Sequence, residues 1–439
     1  MADHSSTALR GALLVTQDDE RKVFRGDVLL RDGTIEQVAP AIKGKADHEL
    51  DAHRYLIAPG FVNTHTHIAN ALLKGTADDR GFFQFLETMF AVDAKRTEED
   101  IEAGALLGAA EMLLGGTTGF LDMYYGEDAV ARACERIGIR GFLGWVVLDP
   151  EITTQKGVPV ENAAHFITRW KKHERVSPLV SLQGVYACKD DTWLKAKELA
   201  EREKVLLHYH LSETRGEVQE NEKKRGKRPP EWLDSLGFLG RHQVAAHGVW
   251  LTTREIELLA RKGVAVAHCP SSNMKLASGG GGICPVTELR AAGATVAMAT
   301  DSSSSNNGLS MLREMHLAAL AHKQQRHDPE SLPAPVVLDM ATRDAAKALG
   351  RERDLGQLAP GFKADLVLYD LSHPSLLPTR VENAVSNLVY SAQDDAVHTV
   401  YVQGEKVVEA RRLLKLDWEK EAPNIERIAS ALLHPASLG

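Results

Sequence analysis

The chain has 439 residues, 44% of them apolar and 26% charged, a balance that gives a soluble globular protein with ample core and excludes disordered, collagenous and low-complexity classes. Lys plus Arg number 52 against 60 for Asp plus Glu, a net charge of −8. No global positive field is available to draw in phosphate backbones or anionic lipid, so neither nucleic acid nor a membrane surface is an expected partner.

Residues 10–58 read as short strands joined by turns, with a hairpin signal at Asp32-Gly33. From Phe61 to about Leu349 the texture changes to eight short apolar runs alternating with longer amphipathic stretches. The runs are FVNTHTH (61–67), TGFLDMY (118–124), RGFLGWV (140–146), LVSLQGV (179–185), VLLHYH (205–210), VAAH (244–247), VAVAHC (264–269) and TVAMATD (295–301). Helices are predicted between them, for example Glu98–Leu114, Asp190–Glu203 and 252–262, the last opening with a Thr252/Glu255 capping box. This alternation predicts an α/β fold, a TIM-type (β/α)8 barrel. An open doubly wound sheet is the runner-up, and it lacks its Gly-rich first turn here.

Strand texture returns in GQLAPGFKADLVLYDL and TVYVQGEKVV. The two ends are expected to pair into one small β-sandwich domain, residues 1–58 with 355–439, bracketing a catalytic barrel over 59–354. The Gly279–Gly282 run and the basic RGKRPP segment at 225–230 read as mobile loops. Four cysteines without C-x-x-C spacing, a five-residue apolar stretch after Arg10 and no apolar run of ~18 residues point to a cytoplasmic protein without a leader or membrane span. A homo-oligomer is expected.

Histidine carries the chemical signal. His65 and His67 stand two apart on a strand, so both leave on the same face. His210, His247 and Asp301 end other runs and His268 sits in one, at the strand C-termini where a barrel gathers its catalytic groups. A catalytic zinc site uses typically three protein ligands and an open position, sometimes expanding to five-coordinate. His65, His67, His210 and Asp301 are the candidate set, for zinc first and iron second. His208 shares the face of His210 but lies further from the mouth. Glu213, three residues beyond His210, would overhang the metal as a general acid. A nucleophilic serine is the poorer alternative, since no Gly-x-Ser-x-Gly elbow is present.

APGFVNTHTH, HYHLSE, AAHGVWL, HCPSSNMKLASG, TDSSSSNN and LAPGFKADLVLYD together resemble the amidohydrolase superfamily, in the branch of metal-dependent aminohydrolases that includes methylthioadenosine/S-adenosylhomocysteine deaminases. The resemblance implies one divalent metal on His65, His67, His210 and Asp301, a proton passed by Glu213 to a ring nitrogen, and an attacking water oriented by His247. Two-metal members carry a lysine on the fourth strand, and LVSLQGV has none. Nucleoside-deaminating relatives grip ribose with a Glu in a stretch like WPAEAK. Here FAVDAK places Asp93 there, and the relatives' Pro-His motif after the fourth strand and arginines after the third are missing. The expected substrate is therefore a small heterocyclic amine, an adenine nucleoside or thionucleoside first and a free purine, pterin or s-triazine second. Tyr186 and Trp145 are candidates to stack on the ring. An inactive scaffold barrel is the reading from another class, and it would be expected to show a broken ligand set.

Overall fold

Gly60 alone separates two sheets: Tyr55–Pro59 belongs to one and Phe61–Thr66 opens the other. The computed structural model describes residues 6–279 and 283–433, so all but Gly279 of the expected glycine loop lies outside the described residues. Nine strands from both ends of the chain form one mixed sheet. Ser6–Val15 runs antiparallel to Val23–Arg31 and parallel to His48–Asp51 and Tyr55–Pro59. Tyr55–Pro59 pairs with Leu366–Asp370, which continues to Val397–Val402. The hairpin at Asp32 and Gly33 turns with φ of +49° and +74°, the paired left-handed conformation that favours Asp-Gly.

The eight apolar runs are eight parallel strands in sequential order: Phe61–Thr66, Thr117–Tyr124, Arg140–Val147, Val176–Leu182, Leu207–Leu211, Gln243–His247, Ala265–His268 and Val296–Met298. The predicted helices form at Glu98–Leu114, Asp190–Glu203 and Thr253–Lys262, the last with the reciprocal Thr252/Glu255 cap in place. Val62, Leu121, Phe142, Leu179, Val244 and Ala297 fill the barrel interior. The eighth strand ends at Met298, short of Asp301, because side chains replace the ladder at the seam. Asn63 Oδ1 accepts from Thr300 N at 3.0 Å, Thr64 Oγ1 donates to Met298 O at 2.9 Å, and Asp301 N donates to His65 O at 2.9 Å.

Two features depart from expectation. The C-terminal segment serves both bodies: Ala384–Tyr390 packs on the barrel helices Met311–Arg326 and Ala334–Ala341, and Trp418–Leu432 packs on Glu98–Leu114. The basic 225–230 segment is a pinned turn rather than a mobile loop. One helix ends at Arg225 and the next begins at Pro229, with the Arg225 guanidinium 3.9 Å over the Trp232 ring.

At the N-terminal end of the barrel, Arg140 of the third strand meets Asp365, just before Leu366–Asp370 of the small sheet. Two contacts of 3.0 and 3.1 Å join these buried groups. The Asp365 carboxylate also accepts from Gln403 N at 2.6 Å, and its carbonyl from Gly60 N at 3.0 Å. Arg140→Leu leaves a buried carboxylate without its cation and is expected to cost about 3–5 kcal/mol, read as a lowered denaturant midpoint. A loss below about 1 kcal/mol would show that the pair does not hold the two bodies together.

Candidate active site

The histidine tautomers follow from their second nitrogens. His67 Nδ1 lies 2.6 Å from Met123 O and His210 Nδ1 2.5 Å from Gln183 O, so both Nδ1 atoms carry the proton and both Nε2 atoms carry lone pairs. His208 Nδ1 must donate to Val244 O at 2.8 Å, which makes its Nε2 the acceptor for His65 Nδ1–H at 2.7 Å. His208 therefore orients His65, whose Nε2 is buried and has no hydrogen-bond partner. Burial also lowers the pKa values of His65 and His210, which keeps them neutral.

These lone pairs converge with Asp301. His67 Nε2 is 3.2 Å from His210 Nε2, and Asp301 Oδ1 is 3.4 Å from His65 Nε2 and 3.5 Å from His67 Nε2. Three acceptors and a carboxylate at such distances repel one another unless a cation lies among them. The residues fit a divalent metal on that ground. Burial works against the Asp301 charge, yet the close contact with His65 and the neighbouring His247 and His67 imidazoles hold its carboxyl well below the usual range. Its other oxygen accepts from Ser272 Oγ at 2.5 Å and Ser305 Oγ at 3.2 Å.

His247 differs in kind, although its ring also lies within ligand distance of His65 and His210. Asn273 Nδ2 donates to its Nδ1 at 3.1 Å, so its Nε2 presents an N–H, facing Glu213 Oε2 at 3.6 Å. Burial pushes the His247 pKa down to about 3. Glu213 moves the opposite way: burial first, then the charges of Asp301 and Glu217, raise its carboxyl well above the usual range. His247 and Asp301 adopt φ of +75° and +66°, a left-handed backbone that non-glycine residues adopt at strained functional positions.

A cavity opens over these groups, with about 830 Å³ of space between atoms that includes the open solvent at its mouth. Asp93 and Tyr186 line it, as do His67, His210, Glu213 and His247. Asp93 accepts from Tyr124 OH and lies 3.6 Å from Arg96 Nη1. Tyr186 OH accepts from Gln183 Nε2 at 3.1 Å, with its ring edge-on to Phe82. Trp145 does not reach the cavity, which corrects the stacking role expected for it. Strand alternation sends Val146 inward, while Trp145 packs 6.0 Å from Phe166 and donates to Gln155 Oε1 at 2.8 Å.

Site residues missed in the sequence include Ser272, Asn273 and His208 in these roles, and two buried carboxyls behind the loops. Glu217 accepts from Ser212 N at 3.0 Å and Glu213 N at 2.7 Å. Glu314 accepts from Ser271 N at 3.1 Å. The Thr214-x-x-Glu217 spacing was a legible cap signal for the first.

The fold and site define a barrel hydrolase of the metal-dependent kind. The Amidohydrolase family model matches residues 56–407. A 5-methylthioadenosine/S-adenosylhomocysteine deaminase of Syntrophobacter fumaroxidans is 38% identical over 433 residues, 97% of each chain. Among solved structures, a zinc-bound adenosine deaminase from Xanthomonas campestris superposes with a TM-score of 0.93 at 30% identity, covering 97% of this chain and 98% of that one. The zinc complex of atrazine chlorohydrolase from Arthrobacter aurescens superposes at 0.88 and 26%, covering 96% and 100%. The chain belongs to the amidohydrolase family.

Burial pushes Glu217 up to about 7, against the hydrogen bonds from Glu213, Ser212 and Thr214. A carboxyl raised from 4.5 on folding contributes stability below about 4.5 that is lost as pH rises through about 7. The stability of the protein relative to Glu217→Gln is therefore expected to fall over that window by roughly 2–3 kcal/mol. Denaturant titrations of both proteins at pH 4.5 and 7.5 check it, and a parallel pH dependence refutes it.

Proposed function

We propose that the protein is a mononuclear, divalent-metal-dependent deaminase of adenine nucleosides or thionucleosides, replacing the exocyclic amine by oxygen and releasing ammonia. The observation that carries this reading is Glu213: a buried carboxyl raised well above its usual range, beside His247 and facing the cavity that also holds Asp301. A group able to give a proton to a ring nitrogen is useful when ammonia leaves a heterocycle, and much less so in simple ester or amide hydrolysis. The relative's name and the adenosine deaminase likeness support the nucleoside.

His65, His67, His210 and Asp301 would hold the metal, zinc ahead of iron, since both structural neighbours are zinc complexes. When bound, such an ion acidifies water toward neutral pH and so supplies the nucleophile. The chain's own groups divide the remaining work. Glu213 donates its proton to the ring nitrogen beside the amine-bearing carbon, which makes that carbon more electrophilic. His247 Nε2–H orients the attacking oxygen. Asp301 accepts the proton released by the nucleophile and returns it to the departing amine, and the hydroxyl proton left as the carbonyl forms passes to Glu213, which restores its acid form. Asp93, held by Tyr124, accepts from ribose hydroxyls.

A second reading, a heterocycle without sugar, is favoured by the likeness to atrazine chlorohydrolase. Cytoplasmic location is supported by four cysteines that are all free and buried, and no described helix is long and apolar enough to cross a membrane. Self-association is supported by the exposed apolar Leu377 and Val381.

One metal per chain is expected by elemental analysis, lost in the His67→Ala/His210→Ala double variant. Glu213→Gln should keep the metal and lose on the order of 10²–10⁴ in turnover. Turnover near wild type removes Glu213 from the mechanism. Asp93→Ala separates the two substrate readings: it should lower kcat/KM for adenosine far more than for adenine. Equal losses favour the sugar-free substrate.

A further inference from the structure

The relative's name joins two 5′-substituted adenosines, one ending in a neutral methylthio group and the other in an amino acid with a carboxylate. Resting on the nucleoside reading above, we propose that this chain separates them. Its site takes adenine nucleosides whose 5′ substituent is uncharged and apolar, and excludes those whose 5′ substituent carries a carboxylate or phosphate.

The helix Phe82–Asp93 forms one wall of the cavity. Phe82, Phe85, Leu86, Met89 and Phe90 line it at i, i+3, i+4, i+7 and i+8, one helical stripe, while Gln84 and Glu87 face solvent. Asp93 follows one turn later on the same stripe. Across the cavity, the third barrel strand contributes Val146 and the segment after it Leu148, Thr153 and Thr154. With Glu213 at the base and Asp93 at the ribose, the 5′ side is left to these apolar and hydroxyl surfaces.

No lysine or arginine is among the described residues lining the cavity, whose acidic residues are Asp93, Glu213 and Asp301. Three nearby cations, Arg96, Lys275 and Arg80, are engaged elsewhere, and the exposed Arg215 lies 6.0 Å over the Trp250 ring. Arg96 lies behind Asp93 and donates to Asn70 Oδ1 and Tyr124 OH, each at 2.7 Å, and to Ala69 O. Lys275 pairs with Asp78 and Asn307, each at 2.6 Å. Arg80 reaches Thr88 on the helix's outer side at 2.9 Å. A carboxylate or phosphate entering here is desolvated against phenyl rings without a cation of the cavity lining to pair it. A methylthio group instead buries apolar surface and gains sulfur–aromatic contact.

The test compares 5′-methylthioadenosine with S-adenosylhomocysteine and adenosine 5′-monophosphate on the metal-loaded enzyme. The kcat/KM for the methylthio compound is expected to exceed the other two by roughly 100-fold, and ratios within threefold of unity overturn the proposal. Calorimetric titration of metal-loaded Glu213→Gln with the same nucleosides reads the selectivity as binding. Tight but unselective binding overturns this proposal alone, whereas binding of none of them overturns the nucleoside reading and this proposal together. Leu86→Arg places a cation on the half-exposed edge of the stripe. It should shift the ratio toward S-adenosylhomocysteine by roughly tenfold, and an unmoved ratio overturns the assignment of selectivity to the stripe.

Discussion

Three imidazole nitrogens and one carboxylate oxygen face each other across 3.2–3.5 Å at the C-terminal end of the barrel, each with a lone pair directed inward. Much of the surrounding structure holds these groups against their mutual repulsion. Carbonyls of Met123 and Gln183 take the outer protons of His67 and His210, and His208 relays the same constraint from Val244 to His65. The barrel seam supplies the fourth group. Side chains of Asn63 and Thr64 and the Asp301-to-His65 backbone bond draw the eighth strand's end against the first. NTHTH is thus a closure device as much as a source of inward-facing imidazoles, for Asn63 and Thr64 seal the barrel on which His65 and His67 stand.

Buried carboxyls behind the loops fix the backbone on which the site groups ride. Asp122 accepts from Thr66 Oγ1 and Ile68 N, the two neighbours of His67. Glu217 holds the turn carrying Glu213, and Glu314 holds the start of the helix Pro270–Lys275 that supplies Ser272 and Asn273. Desolvation raises all three, so each is a costly way to satisfy two or three donors. The compensation is rigidity at loops that also store left-handed backbone at Ser212, His247 and Asp301.

The barrel was legible because each buried parallel strand is a short, nearly continuous apolar run, and the inward groups were legible because they stand at the ends of those runs. Alternation also carried the His65/His67 and His208/His210 pairs to their correct face. It could not rank His208 against His210, since both point inward and only depth along the strand separates the imidazole that meets His67 from the one that supports His65. Trp145 failed for a related reason: its neighbour Val146 has the inward parity, and aromatic character alone does not say which side of a strand is the cavity. The apolar stripe of Phe82–Asp93 has the spacing of an ordinary core-facing helix. Nothing local marks it as the wall of a cavity, because that depends on the barrel mouth beneath it.

The division between floor and wall explains how one scaffold serves unlike substrates. The converging histidines, Glu213 and Asp301 sit at or just beyond strand ends, where the closed barrel limits their movement. The wall that meets the rest of the substrate comes from the excursion between the first strand and the helix Glu98–Leu114, and from the segment after the third strand. A charge gained or lost on that wall alters what is admitted without moving His65 or Asp301. The structural likeness reaches both an adenosine deaminase and an atrazine chlorohydrolase, as expected when the floor is held and the wall is free to vary. In this chain the wall is aromatic and aliphatic, and its anchoring acid is Asp93, fixed from behind by Tyr124 and Arg96. Asp93 and the apolar stripe thus lie on one helix, so on the proposed reading a shift of Phe82–Asp93 would alter sugar recognition and 5′ selectivity together while leaving the groups at the strand ends in place.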